Sequence, residues 1–201
     1  MASDRNTEKR IFEAAKAIFH ERGYHGARMQ EIARRAGINQ SMLHYYFRSK
    51  EGLFEAVFRA TAGEVLTPVF EVLSADLPLS EKLDRFVEIY IDQVSANPYA
   101  PGFLLEELSH HPDHLRRFAG DRGKVVFEKL AGEVREAVVR GELRPISPED
   151  LFANLVALCL FPFIARPILQ TVTGLDDDAY RSFLRRRKRE VRRFIHHALK
   201  P

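Results

Sequence analysis

Two groups of side chains in this sequence have the types and spacing to do chemistry. The first is the run EELSHHPDH, which gathers Glu106, Glu107, His110, His111, Asp113 and His114. Imidazoles and carboxylates at that density can hold zinc, and a metal-binding helical enzyme using residues 106–114 is the chemistry they would support. Pro112 argues against it, because it breaks the helical register that would bring His110 and His114 onto one face. The H-E-x-x-H spacing of hydrolytic zinc sites is also missing. A solvated turn between helices fits the run better, so no metal, cofactor or catalytic residue is expected. The second group is Gln40, Ser41, His44 and Tyr45, a hydrogen-bonding and aromatic set without a carboxylate. A glutamine can bond the edge of adenine with two hydrogen bonds, and an aromatic ring can meet the thymine methyl, so these types suit the reading of bases.

The elements that must position this second group are legible around it. Met29, Ile32, Ala33 and Ala36 recur at helical spacing and give a short helix one apolar stripe, with Gln30, Glu31, Arg34 and Arg35 opposite. Gly37 can take the left-handed conformation that ends a helix, Ile38 tucks an apolar group under the turn, and Asn39 is a good N-cap for a second helix. In that helix Leu43 and Phe47 point inward while Ser41 and Tyr45 point out. Two short helices at a sharp angle form a helix-turn-helix whose second member suits the major groove.

The stretch around these residues resembles the TetR family of bacterial transcriptional regulators. Gly23-Tyr24, Ile32-Ala33, Ala36-Gly37-Ile38, Leu43, Tyr46-Phe47, Ser49-Lys50-Glu51 and Leu53-Phe54 fall at the family's spacing in one ungapped run. Beyond that first quarter the match is only in length and helical character. Arg28 stands where the family often has a capping Ser or Thr, and His44 replaces the usual Tyr. Gln40, Ser41 and Tyr45 are the candidates for base-edge contact, the resemblance implies that Gln30 reads bases too, and Arg28, His44, Tyr46 and Lys50 fall to phosphates that set the register, with Tyr46 alternatively packing beside Leu43. The resemblance also implies a twofold homodimer reading an inverted-repeat operator, a small-molecule effector, and repression as the default.

Composition bounds the alternatives. Hydrophobic content of 45% and charged content of 29% describe an ordinary globular protein. The net charge of +3 conceals a division: residues 1–50 carry +5, residues 51–175 carry −7 and residues 176–201 carry +5. A basic head on an acidic middle suits a module that touches phosphate at one end and holds its body off the duplex. The single cysteine, Cys159, lies in the apolar run LVALCLFPF, which fits an inert core thiol and a reducing cytoplasm. The N-terminus has no apolar signal region, and the longest apolar stretch is broken by Pro162, Arg166 and Pro167, so neither export nor membrane spanning is expected.

The expected fold is all-α: a three-helix DNA-binding domain at 1–50 and a larger helical effector-binding and dimerisation domain at 51–201. Thr7 should cap the first helix, whose Arg5, Lys9 and Arg10 form either a DNA-contacting arm or a solvated terminus. Ser49 caps a long fourth helix that Pro68 should kink or end. Helices follow from Ser80 to about Asn97, from Pro101 to His110, and from Pro112 to Gly141. Ser147-Pro148-Glu149 opens another, apolar nearly all round from Leu151 to Leu169, and three aspartates charge the start of the last. A helix apolar on every side needs a partner, and the helices near 151–169 and 178–199 are expected to pair with their copies in a second subunit. The Arg-rich last helix could alternatively lie on anionic membranes or bind nucleic acid without sequence preference, but a dimer element with a basic solvent face is the plainer reading. Tyr90, Phe103, Glu106, Phe127 and Asn154 are the candidate contacts for an apolar or aromatic effector.

Overall fold

A computed structural model describes the backbone of residues 2–201 and the side chains of residue 4 and residues 6–201. The described residues form eleven helices and no strand. Helices α1 (Ala2–Gly26), α2 (Met29–Ala36) and α3 (Gln40–Tyr46) make the head. The body comprises α4 (Lys50–Ser74), α5 (Leu79–Ala96), α6 (Ala100–His110), α7 (Asp113–Ala119), α8 (Arg122–Val139), α9 (Pro148–Ile164), α10 (Arg166–Thr173) and α11 (Asp177–Leu199). Three of the expected caps form as read: the side chains of Asn39, Ser49 and Ser147 accept from the backbone N–H of Met42, Gly52 and Asp150, and Asp176, expected only to charge the start of the last helix, also caps it by accepting from the Ala179 N–H.

Several boundaries depart from the pattern. Thr7 lies inside α1 instead of capping it, because the helix begins at Ala2 and carries Asp4 in its first turn, where an acid complements the macrodipole. The helix expected to kink or end at Pro68 does not end there but runs on to Ser74, with Val65 buried in the head-side cluster before the proline and Val69, Val72 and Leu73 buried in the body cluster after it. The single helix expected from Pro112 to Gly141 is two, divided at Gly120, whose φ of 53° and ψ of −140° no helix accommodates. The apolar helix expected to reach Leu169 stops at Ile164 and turns by 74° into α10, which has Pro167 in its first turn. No single helix among the described residues is long and apolar enough to cross a membrane.

The buried side chains fall into two clusters. One gathers Ile11, Phe19, Ile32 and Leu43 of the head with Leu53, Phe54, Val57 and Phe58 of α4 and Phe103 and Leu104 of α6. The other packs the C-terminal end of α4 against α5, α8, α9 and α11 through Leu73, Phe86, Val87, Leu130, Leu155 and Val191. Helix α4 is therefore common to both, and the head's core continues past residue 50 into the body. Burial of each large side chain contributes about 1.5–3 kcal/mol, so head and α4 are held as one unit.

His20 sits on that joint. Its Nε2 lies 3.0 Å from Thr61 Oγ1 on α4, and its ring packs 4.7 Å from Phe103 on α6. Burial, with a smaller contribution from the Lys16 ammonium, pushes its pKa from 6.5 down to about 4. The unfolded chain takes up a proton near pH 6.5 that the folded chain refuses until about pH 4, so this contribution to stability is complete above pH 6.5 and is lost as pH falls through that window. H20Q is expected to show a smaller drop in Tm than the parent between pH 7 and pH 4.5 by circular dichroism. Parallel curves would remove His20 as the titrating group.

Candidate nucleic-acid interface

The turn between α2 and α3 is built from the backbone outward. Gly37 adopts φ 66° and ψ 39°, its N–H donates to the Arg34 carbonyl at 3.1 Å, and the Ile38 N–H donates to the Ala33 carbonyl at 3.0 Å. Beneath it Leu43 is fully buried, fixing the roll of α3. Arg10, expected as part of an arm or a solvated terminus, instead donates to the carbonyls of Ala36 and Gly37 and clamps the end of α2. Lys9 remains exposed, and the contact suggested for Arg5 lies outside the described side chains. A Cβ on Gly37 would stand 2.7 Å from Arg10 Nη2, in a conformation that costs an L-residue about 1–2 kcal/mol. G37A is therefore expected to lower Tm by roughly 2–8 °C. An unchanged melting curve would show the turn to be less constrained than its geometry.

With the roll of α3 fixed, Gln40, Ser41, His44 and Tyr45 are all exposed on its outer side, and Tyr45 is 81% exposed. Gln40 Nε2 lies 3.5 Å from His44 Nε2, one helical turn on. Gln30 and Arg28 stand exposed at the start of α2, and Arg28 makes no side-chain cap. Glu31, left without a capping partner, pairs with Arg22 at 2.7 Å. Two of the expected phosphate contacts have local partners as well. The Tyr46 hydroxyl donates to Asp4 at 2.9 Å, and Lys50 Nζ lies 4.5 Å above the Tyr24 ring, whose hydroxyl donates to Glu51. The ring quadrupole offsets the cost of a cation at the N-terminus of α4, so Lys50 has a local reason to be there that the sequence pattern did not reveal.

The five candidate effector contacts do not converge. Phe103 and Glu106 line one cleft of about 640 Å³ between the head and α6. Tyr90 is buried in the body core with its ring stacked on Phe86 at 5.5 Å, and burial pushes its pKa up to about 12. Phe127 packs on Phe152 at 5.8 Å. Asn154 opens on a separate recess beside Arg144 and Asp150. Of the Glu/His run, Glu107 Oε1 lies 3.2 Å from His111 Nδ1 and 2.7 Å from His114 Nδ1. Among the described residues no three histidine, cysteine or acidic side chains are grouped to hold a metal ion. Cys159 is fully buried, and burial pushes its thiol up to about 12.

Comparison with known proteins agrees with this geometry. Residues 11–57 match the family model described as bacterial regulatory proteins, tetR family, and residues 80–195 match the tetracyclin repressor-like C-terminal domain. The HTH-type transcriptional regulator RutR of Shigella flexneri is 30% identical over 200 residues, covering 96% of this chain and 91% of that protein. The fatty acid metabolism regulator protein of Bacillus subtilis is 23% identical over 90% of each chain. In fold, the chain is similar to HlyIIR, a hemolysin II transcriptional regulator, with a TM-score of 0.66, 24% identity and 98% of each chain covered.

Proposed function

The chain belongs to the tetR family of bacterial regulatory proteins and is a transcriptional regulator, and on that premise we propose that it is a cytoplasmic homodimeric repressor. It binds an inverted-repeat operator and is released by a small molecule with an apolar or aromatic body. The observation that carries the DNA-binding part is the outer face of α3: exposed Gln40, Ser41, His44 and Tyr45 on a helix whose roll is fixed by buried Leu43 and whose entry is clamped by Arg10. A rigid, uncharged-to-basic face of this kind can follow the major groove without an acid to repel phosphate. Gln40, Ser41, Tyr45 and Gln30 are the base-edge candidates, with Arg28, His44, Tyr46 and Lys50 setting register on phosphates.

Dimerisation is supported by the side of the molecule away from the body core. On α9, Phe161 and Ile164 are exposed beyond the buried stripe of Leu151, Leu155 and Cys159, and α11 adds Phe194. Arg187 and Tyr180 of α11 donate to the carbonyls of Leu158 and Pro162, which locks the two helices into one surface before any partner arrives. In dimeric helix-turn-helix proteins the two recognition helices meet successive major grooves roughly 34–36 Å apart. Selection of bound sequences from random duplex DNA is expected to return an inverted repeat. Recovery of no motif, or of a single asymmetric half-site, would overturn the reading.

A further inference from the structure

The cleft between head and body has a composition that an effector with only an apolar body leaves unexplained. Its floor is aromatic: the Phe54 ring lies 5.0 Å from that of Tyr24 and 5.5 Å from that of Phe103, edge to face in both pairs. Its walls carry Glu51 and Glu55 from the start of α4 and Glu106 and Glu107 from α6. No lysine or arginine is among the described residues that line it. Arg59 reaches Glu55 at 3.4 Å from outside, and Glu51 accepts from Tyr24, but the Glu106 carboxylate faces the turn at Gly23, where a Cβ would stand 3.3 Å from its Oε1. Glu107 is nine-tenths buried, and the ring nitrogens of His114 and His111 lie 2.7 and 3.2 Å from its Oε1.

We propose that this cleft between head and body binds an organic cation, an amine or quaternary ammonium carried on an apolar or aromatic body. At about 640 Å³ it has the size of a small-molecule site. Aromatic edges and faces take the body, and carboxylates converging from two helices take the charge, which gains most where it is partly desolvated. Location supplies the consequence. Gly23, Tyr24 and His25 belong to the head, while Phe103, Glu106, Glu107 and His114 belong to the body, so one ligand touches both. A cation drawn between Glu51 on α4 and Glu106 on α6 relieves like-charge repulsion across the cleft and favours one inclination of the head and the start of α4 against α6 over others. That differential preference is what a ligand needs to change DNA affinity, and DNA must change the ligand's affinity by the same factor. The site thus rests on the proposed effector response and gives it a chemical class.

The test uses the full-length protein at pH 8, where imidazole contributes little charge. Calorimetric titration with phenylbutylammonium and benzyltrimethylammonium is compared with neutral phenylbutanol and with zinc chloride alone, all without DNA. The expected result is binding of at least one ammonium probe with Kd below about 1 mM, phenylbutanol at least tenfold weaker, and a further loss of at least tenfold in E106Q. E71Q, a control at an exposed position in the C-terminal half of α4, should bind as the parent does. Failure of both ammonium probes, equal binding of phenylbutanol, indifference to E106Q in a variant that melts normally, or binding of zinc only would each overturn the proposal. Operator affinity of the unliganded protein is measured separately, so loss of the cation site and loss of the regulator reading give different results.

Discussion

Replacing Tyr45 by alanine is expected to weaken binding to the selected operator by about tenfold to a hundredfold while leaving Tm and oligomeric state unchanged. At 81% exposed, the ring touches Tyr46 edge to face at 5.3 Å and otherwise projects from α3 into solvent, so its removal costs the free protein almost nothing. A good bidentate pair at a base edge carries roughly 1–3 kcal/mol of discrimination; a single ring contact at the lower end, about 1 kcal/mol, is lost twice in a twofold complex, about 2 kcal/mol in all. Q40A should act in the same direction, with the added signature that preference at one base pair per half-site relaxes, since glutamine bonds adenine at two points. R28A should weaken all duplexes alike and reduce the salt slope by about one per half-site. These behaviours separate reading from positioning. If Y45A binds the operator as the parent does, α3 is not the reading helix and the proposal for the head fails.

The contrast between those residues and the effector candidates follows from how far apart in the chain the determining contacts lie. The helix-turn-helix is specified within Met29–Phe47 by a stripe, a left-handed glycine and an asparagine cap, all local, and the structure forms each of them. The clamp by Arg10 was illegible because it joins positions 27 apart, and the sequence gives an N-terminal arginine no reason to bond carbonyls rather than DNA. The partner of Lys50 is hidden for the same reason: a cation opposes the macrodipole at the start of α4, and the Tyr24 ring that offsets this comes from another helix. Glycine is a weak helix former, but whether Gly120 ends a helix depends on whether the flanking segments have separate surfaces to pack on. The cleft was half visible. The run from Glu106 to His114 stood out as charged, but only folding brings it against Gly23, Glu51 and Glu55, turning what looked like a solvated turn into one wall of a cavity. Tyr90 is buried in the body core and half-buried Phe127 packs on Phe152, so the two lie apart from the cleft that Phe103 and Glu106 line, a separation that helical spacing alone cannot show.

The second large effect is expected from the α9–α11 surface. F161E combined with F194E is expected to yield a monomer at micromolar concentration by sedimentation, with helical content preserved and operator affinity reduced about a thousandfold. Phe161 and Phe194 are 50% and 61% exposed, and Ile168 and Val172 of α10 extend the apolar area at 63% and 79%. Four large apolar side chains so exposed on consecutive elements leave apolar area that a lone subunit keeps in water, at about 25 cal/mol for each Å². Charges placed there leave the fold alone, because neither ring belongs to the buried stripe, but a carboxylate entering a desolvated interface at two symmetric points is strongly unfavourable. The effect on DNA follows from linkage. Once one head is seated, the dimer holds the second near its half-site at an effective concentration in the millimolar range, and severing the dimer removes that gain whether or not each head still reads correctly. The half-site specificity of the monomer should therefore survive while its affinity collapses. A double variant that stays dimeric, or a monomer that holds the full operator as tightly as the parent, would show that α9 and α11 do not couple the two heads.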